Sequence, residues 1–294
     1  MAVIPGDVAL PARATERRRR AWRYVKRHPT IVAGGMLLLV MVAIAVFAPW
    51  LGTVDPQALS PVKRLRWPST DYWFGTDMLG RDIWSRTLYG ARVSLAVGVS
   101  VALLSTGLGL AIGVVAGFTR WVDAVVMRIM DGLMSIPSIL IAIALMALTR
   151  ASMQNVIFAI TVAEVPRVTR LVRGIVLTLR EQPYVEAAVA SGTGFVRTLW
   201  RHIVPNTLAP LLVQGTFIAA SAMITEAILS FIGAGTPPNI PSWGNIMAEG
   251  RSLFQVAYYI VLFPGVFLSI TVLAINLLGD GLRDALDPRL ARRL

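Results

Sequence analysis

Between Ile31 and Ala48 the chain carries no charged side chain at all. A stretch of that length and apolarity is close to what a helix needs to cross a lipid bilayer. Further largely apolar runs lie at Val93–Gly117, in a run ending near Leu148, from Gln154 towards Leu179, at Thr207–Ile232 and at Val256–Leu278. In hydrocarbon the backbone can satisfy its own polar groups only as helices or as a closed barrel, and apolar runs this long select helices. Of the 294 residues, 55% are hydrophobic and mean hydropathy is +0.66, above the soluble range. The fold class expected is all-α: a polytopic membrane protein with six transmembrane helices.

Composition also excludes chemistry. There is no cysteine, so no disulfide framework and no thiolate site. His28 and His202 are the only histidines, too few for the usual zinc and haem arrangements. No Gly-x-x-x-x-Gly-Lys follows a strand pattern, so no nucleotide site is expected in this chain. The net charge of +12 raises the question of nucleic acid, and its distribution answers it. With both termini on one side, twenty of the 28 Lys and Arg fall on that side. This is the positive-inside bias, which makes that side cytoplasmic and leaves no need for a nucleic-acid partner.

The layout follows. Residues 1–30 form a basic cytoplasmic tail whose Arg17–Arg20 cluster can rest on anionic headgroups of membrane lipids. Residues 31–51 are the first span, read as retained rather than as a cleaved leader because the polar stretch before it is long. Residues 52–92 form an outer loop; Trp50 just before it and Trp67, Trp73 and Trp84 within it suit a membrane–water interface. Residues 93–280 hold five further spans, and 281–294 a second basic tail. In the second span Gly109, Gly113 and Gly117 recur every fourth residue, a face that lets helices pack backbone to backbone. In the third, Arg128 and Asp131 are spaced to pair, and Pro137 is placed to kink the helix. The fourth is apolar only in its first half and continues beyond Pro166 with Arg167, Arg170 and Arg173.

The fourth and fifth spans are joined by the polar elbow 182–206. Pro183 suits a first helical position. Tyr184, Ala187, Ala188 and Ser191 then share one face of a short helix, and that face is mostly small. Gly192 and Gly194 are expected to stop it. A second short helix follows, with Val196, Leu199, Trp200 and Ile203 on one side and Arg197 and Arg201 on the other. Pro205 opens the next apolar run. In that run Glu226 lies roughly 9 Å short of the outer end. A charged side chain at such depth costs about 2.5–3.5 kcal/mol on insertion scales, so it faces a cavity or finds a partner. Two readings stand: a bond to a neighbouring Ser or Thr or to the interface, and an outer-gate or pathway residue that pairs across two permeases.

Glu186-Ala187-Ala188, Gly192 and Ile203-Val204-Pro205 resemble the EAA loop of ABC-importer permeases, with Val204 where Leu is commoner. Phe74-Gly75-Thr76-Asp77, Leu79-Gly80-Arg81-Asp82, Ser85-Arg86 and Tyr89-Gly90-Ala91-Arg92 resemble a block found in one of the two permeases of dipeptide, oligopeptide and nickel importers. Asn276–Asp284, followed by Asp287-Pro288, resembles the end of such permeases. The resemblance implies a type I importer permease of the bacterial inner membrane, with Glu186, Ala187, Ala188, Gly192 and Pro205 in an ATPase-coupling loop. It implies a second permease, two ATPase subunits that hold the ATP and Mg, and a periplasmic substrate-binding protein. No cofactor belongs to this chain, and it catalyses nothing itself. The substrate stays open between dipeptides, longer peptides, glutathione-like compounds, opines and nickel. A secondary transporter is the other class, though no inverted repeat is evident.

Overall fold

The computed structural model describes residues 28–286, so the first basic tail lies almost wholly outside them and the second from residue 287 on. Among the described residues the chain is helical, with one isolated bridge between Thr76 and Asp82 and no strand.

Helix α1 spans Pro29–Phe47 and opens on its proline. A loop over 52–82 leads to α2, Ile83–Phe118, whose 36 residues extend about 54 Å. The second span was expected from Val93. The helix instead takes in the Ser85-Arg86 and Tyr89–Arg92 segments, because Asp82 caps it by accepting from the Ser85 N–H at 2.9 Å. The loop is ordered against the bundle. Tyr259 Oη donates to the carbonyls of Arg66 and Thr76, and Phe74 stacks on Phe263 at 3.8 Å.

The third apolar run is not one kinked helix. It is α3, Arg120–Met134, and α4, Ser138–Leu148, set at 89° across a break. Proline disfavours helical geometry in the residue before it, so Ile136 leaves the helix and Pro137 caps the next one. The expected Arg128–Asp131 pair does not form. Asp131 meets Arg170 at 2.5 Å, and Asp123 is bonded by Arg173.

Helix α5, Met153–Arg180, carries Pro166 internally and runs on past the apolar half. The elbow comprises α6, Pro183–Ala190, and α7, Phe195–Thr198, followed by a π turn at Leu199–Ile203. Helix α8 is Val204–Phe231, α9 is Trp243–Gly250, and α10 is Tyr259–Leu286. Four stretches are long and apolar enough to cross a membrane: α1 with its last turn, α2, the run from α7 through α8, and α10. Counting the bent α3–α4 pair makes five, and α5 falls short because of its charged half.

The core lies where α2 packs along α5 and α8, while α10 carries α1. A Cβ on Gly109 would lie 2.5 Å from Val168 Cβ, and on Gly117 2.8 Å from Val176 Cβ. A Cβ on Gly113 would lie 2.7 Å from the Thr169 carbonyl oxygen. Real Cβ atoms do not approach so closely, so the stripe is what allows α2 and α5 to touch. The bundle has two distinct ends. One carries the loop 52–82 and α9; the other carries the elbow, where Phe195 meets Phe118 edge to face at 4.9 Å.

Candidate functional site

At the elbow end, Gln182 leaves the preceding helix in extended geometry and Pro183 starts α6. Val185 is the buried anchor; Glu186, in the first turn, is exposed, where the helix dipole favours a carboxylate. The helix ends in a Schellman pair. Gly192 N–H donates to the Val189 carbonyl at 2.9 Å and Thr193 N–H to the Ala188 carbonyl at 3.0 Å. Gly192 is in the left-handed region at φ +81°, which a side chain resists. Gly194 is no second stop: at φ −66° and ψ 158° it caps α7 in extended geometry.

The π turn at Leu199–Ile203 alters the register of the second elbow helix. Ile203 and, in part, Leu199 turn inward, while Val196 and Trp200 stay exposed at 63% and 67%. The four were expected on one face; the wider turn splits them. Pro205 lies in the first turn of α8, which continues from the elbow without a break in the chain's helical course. Tyr184, Val189, Val196 and Trp200 therefore leave the elbow with an uncovered apolar surface around Ala187 and Ala188.

At the other end, α9 is clamped from two sides. On one side four charges interlock. Arg81 Nε donates to Asp77 Oδ2 at 2.6 Å and Arg81 Nη2 to Glu249 Oε2 at 2.5 Å. Arg86 donates to Asp77 Oδ2 and to Glu249 Oε1, each at 3.0 Å. Asp77 also accepts the N–H of Leu79 and of Arg81, which shapes the tight turn between them. Burial pushes the Glu249 carboxyl above the usual carboxylate range, against the opposing pull of Arg86 and then Arg81.

On the other side lies Glu226, which is fully buried. Its Oε1 accepts from Ser230 Oγ at 2.8 Å, and Thr236 Oγ1 lies 3.5 Å away; Oε2 has no partner. Asn245 Nδ2 reaches Thr236 Oγ1 and the carbonyls of Pro237 and Ile240 at 2.9, 2.9 and 3.0 Å. A Cβ on Gly244 would lie 2.7 Å from Ala227 Cα, so α9 presses directly on α8. Glu226 thus bonds neighbouring hydroxyls of its own chain.

Sequence reasoning missed α9, and with it Trp243, Asn245 and Glu249. Trp243 is fully buried and donates from Nε1 to the Thr87 carbonyl at 2.9 Å. A signal was present. Ser242 accepts the Asn245 N–H at 3.1 Å, the N-cap arrangement that a serine before an apolar residue announces. Among the described residues no group of three or more His, Asp or Glu side chains is placed to hold a metal ion.

Comparison with known proteins places this geometry. Residues 109–292 match the family described as binding-protein-dependent transport system inner membrane component. Residues 17–68 match the N-terminal transmembrane domain of oligopeptide transport permease C. A probable peptide ABC transporter permease of Sinorhizobium fredii is 53% identical over 271 residues, covering 92% of this chain and 93% of the relative. A dipeptide transport system permease of Alkalihalophilus pseudofirmus is 41% identical over 273 residues, covering 92% and 90%. A glutathione transport system permease of Pectobacterium atrosepticum is 41% identical over 274 residues, covering 92% and 91%. The helical bundle, the elbow and these matches give one conclusion: the chain belongs to the inner-membrane permeases of binding-protein-dependent transport systems and is a permease subunit of an ABC importer, a membrane component and not an enzyme.

Proposed function

We propose that the chain forms half of the path by which peptides, delivered by a periplasmic binding protein, enter the cell at the expense of ATP. A second, similar permease supplies the other half, and two ATPase subunits bind the ATP. In this reading the six spans are α1, α2, the bent α3–α4 pair, α5, α8 and α10. The Lys/Arg bias puts the elbow and both termini in the cytosol. The uncovered surface of the elbow, around Glu186, Ala187 and Ala188, carries the proposal, because α6 is linked to both α5 and α8 and can pass motion to them. Peptide cargo rests on the peptide and dipeptide permeases among the relatives.

In the reconstituted complex, Gly192→Leu is expected to abolish most coupled uptake while the spans stay folded. The cost is backbone strain at positive φ, since a Cβ there meets nothing within 4 Å. Glu186→Arg should act in the same direction by placing a cation at a helix N-terminus. Uptake and ATPase co-purification equal to wild type in both variants would remove the elbow from the mechanism.

Glu226 belongs to the outer gate in this proposal, through position rather than charge pairing between subunits. It ties α8 to the segment leading into α9, so movement of α8 carries the outer cap with it. Glu226→Gln keeps the shape and one hydrogen-bond acceptor. It is expected to impair uptake, or to raise ATP hydrolysis without binding protein, with assembly intact. Wild-type values for both would deny it that role.

A further inference from the structure

A groove of about 810 Å³ runs along one flank of the bundle, between α1, α2, α8 and α10. It is lined almost wholly by hydrocarbon, with Ala96, Val99 and Leu103 on α2 facing Leu212, Gly215 and Ala219 on α8. Leu103 and Leu212 are 67% and 61% exposed, far too open for a packed core. All four helices belong to stretches that can cross a membrane, so the groove lies within the membrane-crossing part of the bundle.

The groove has one cation, Arg92, towards the loop end. Arg92 Nε donates to the Ala45 carbonyl and Nη2 to the Val46 carbonyl at 2.8 Å, fixing the guanidinium to the last turn of α1. It also lies over the Tyr89 ring at 5.1 Å. Nη1 makes no hydrogen bond among the described residues, so the charge is held in place with donors unused.

We infer that this groove binds a phospholipid, its acyl chain between α2 and α8 and its phosphate on Arg92. The pairing of an apolar cleft with a single fixed guanidinium at its mouth matches an apolar tail below an anionic headgroup. A helix from the second permease is the alternative occupant that the experiment must separate.

The test uses the full chain in its native membrane complex, with a photoactivatable phospholipid carrying a diazirine in the acyl chain. Labelling is expected on the α2 peptide around Val99–Leu103 and the α8 peptide around Leu212, well above the exposed Leu39–Val40 face of α1. Arg92→Gln should cut groove labelling by about tenfold, the factor that one charge-assisted bond to phosphate supplies. Ala96→Phe, which fills the cleft, should remove it while leaving the α1 face labelled. A diacylglycerol probe of the same chain length, lacking phosphate, should label the groove no better than the α1 face. Equal labelling of all lipid-facing surfaces, or labelling unchanged by both variants, would overturn the assignment. So would a photo-crosslinker at Leu103 that captures the second permease instead of lipid.

Discussion

Replacing Arg86 by leucine is expected to destabilise the chain by about 3–5 kcal/mol, the loss typical when one partner of a buried ion pair is removed. Arg86 is almost fully buried and faces two carboxylates, Asp77 and Glu249, each at 3.0 Å. Without it, Arg81 alone must balance both. The loss arises from stranded charge and not from lost packing, and a second substitution separates the two. Glu249→Leu added to Arg86→Leu leaves the Asp77–Arg81 pair balanced at 2.6 Å and should recover part of the stability. Glu249→Gln alone should cost less, because the Glu249 side chain keeps 27% of its exposure. Thermal unfolding of the purified chain in detergent reads all four proteins. An Arg86→Leu protein that unfolds like wild type would mean that the network does not hold the loop and α9 to the bundle.

The second large effect is expected at Gly109→Leu. Overpacking usually costs about 1–3 kcal/mol, and this site belongs at the upper end or beyond, because the contact is with a Cβ and with helix backbone. A Cβ there would lie 2.5 Å from Val168 Cβ and 3.2 Å from the Thr169 nitrogen. Neither atom can swing away without moving α5. Gly107 supplies the control, on the same helix with nothing within 4 Å of an added Cβ. Gly107→Leu should be tolerated, and helix propensity favours it. If Gly109→Leu left unfolding unchanged but altered association with other subunits, the glycine stripe would be an intersubunit face and the α2–α5 packing would be wrong.

Features encoded within one turn of chain were legible in the sequence. Pro183 opens α6 and Gly192 closes it, because proline and glycine act on their own backbone angles. The bend after α3 was signalled by Ile136-Pro137, but the apolar composition on either side read as one span and only a kink was expected. The start of α2 was misplaced because Arg86 and Arg92 read as part of the polar loop. Their partners, Asp77 and Glu249 for the first and the end of α1 for the second, come from elsewhere in the chain. Glu249 illustrates the limit most plainly. Nothing near it in sequence indicates that it closes a network with residues on the far side of four spans. The π turn at Leu199–Ile203 was hidden for another reason: its residues keep helical periodicity, and the extra residue per turn leaves no mark in composition.

The account depends on the elbow and the loop 52–82 lying on opposite sides of the membrane, with the elbow on the side where ATP is found. The chain has no native cysteine, so single cysteines report without background. Val62 is 90% exposed in the loop, and Ser191 is exposed at the end of α6. In intact cells whose outer barrier admits the reagent, a membrane-impermeant maleimide should label Val62→Cys and should leave Ser191→Cys unlabelled until the inner membrane is opened. Labelling of Ser191→Cys from outside, with Val62→Cys protected, would contradict the orientation and remove the basis for assigning the elbow to ATPase coupling.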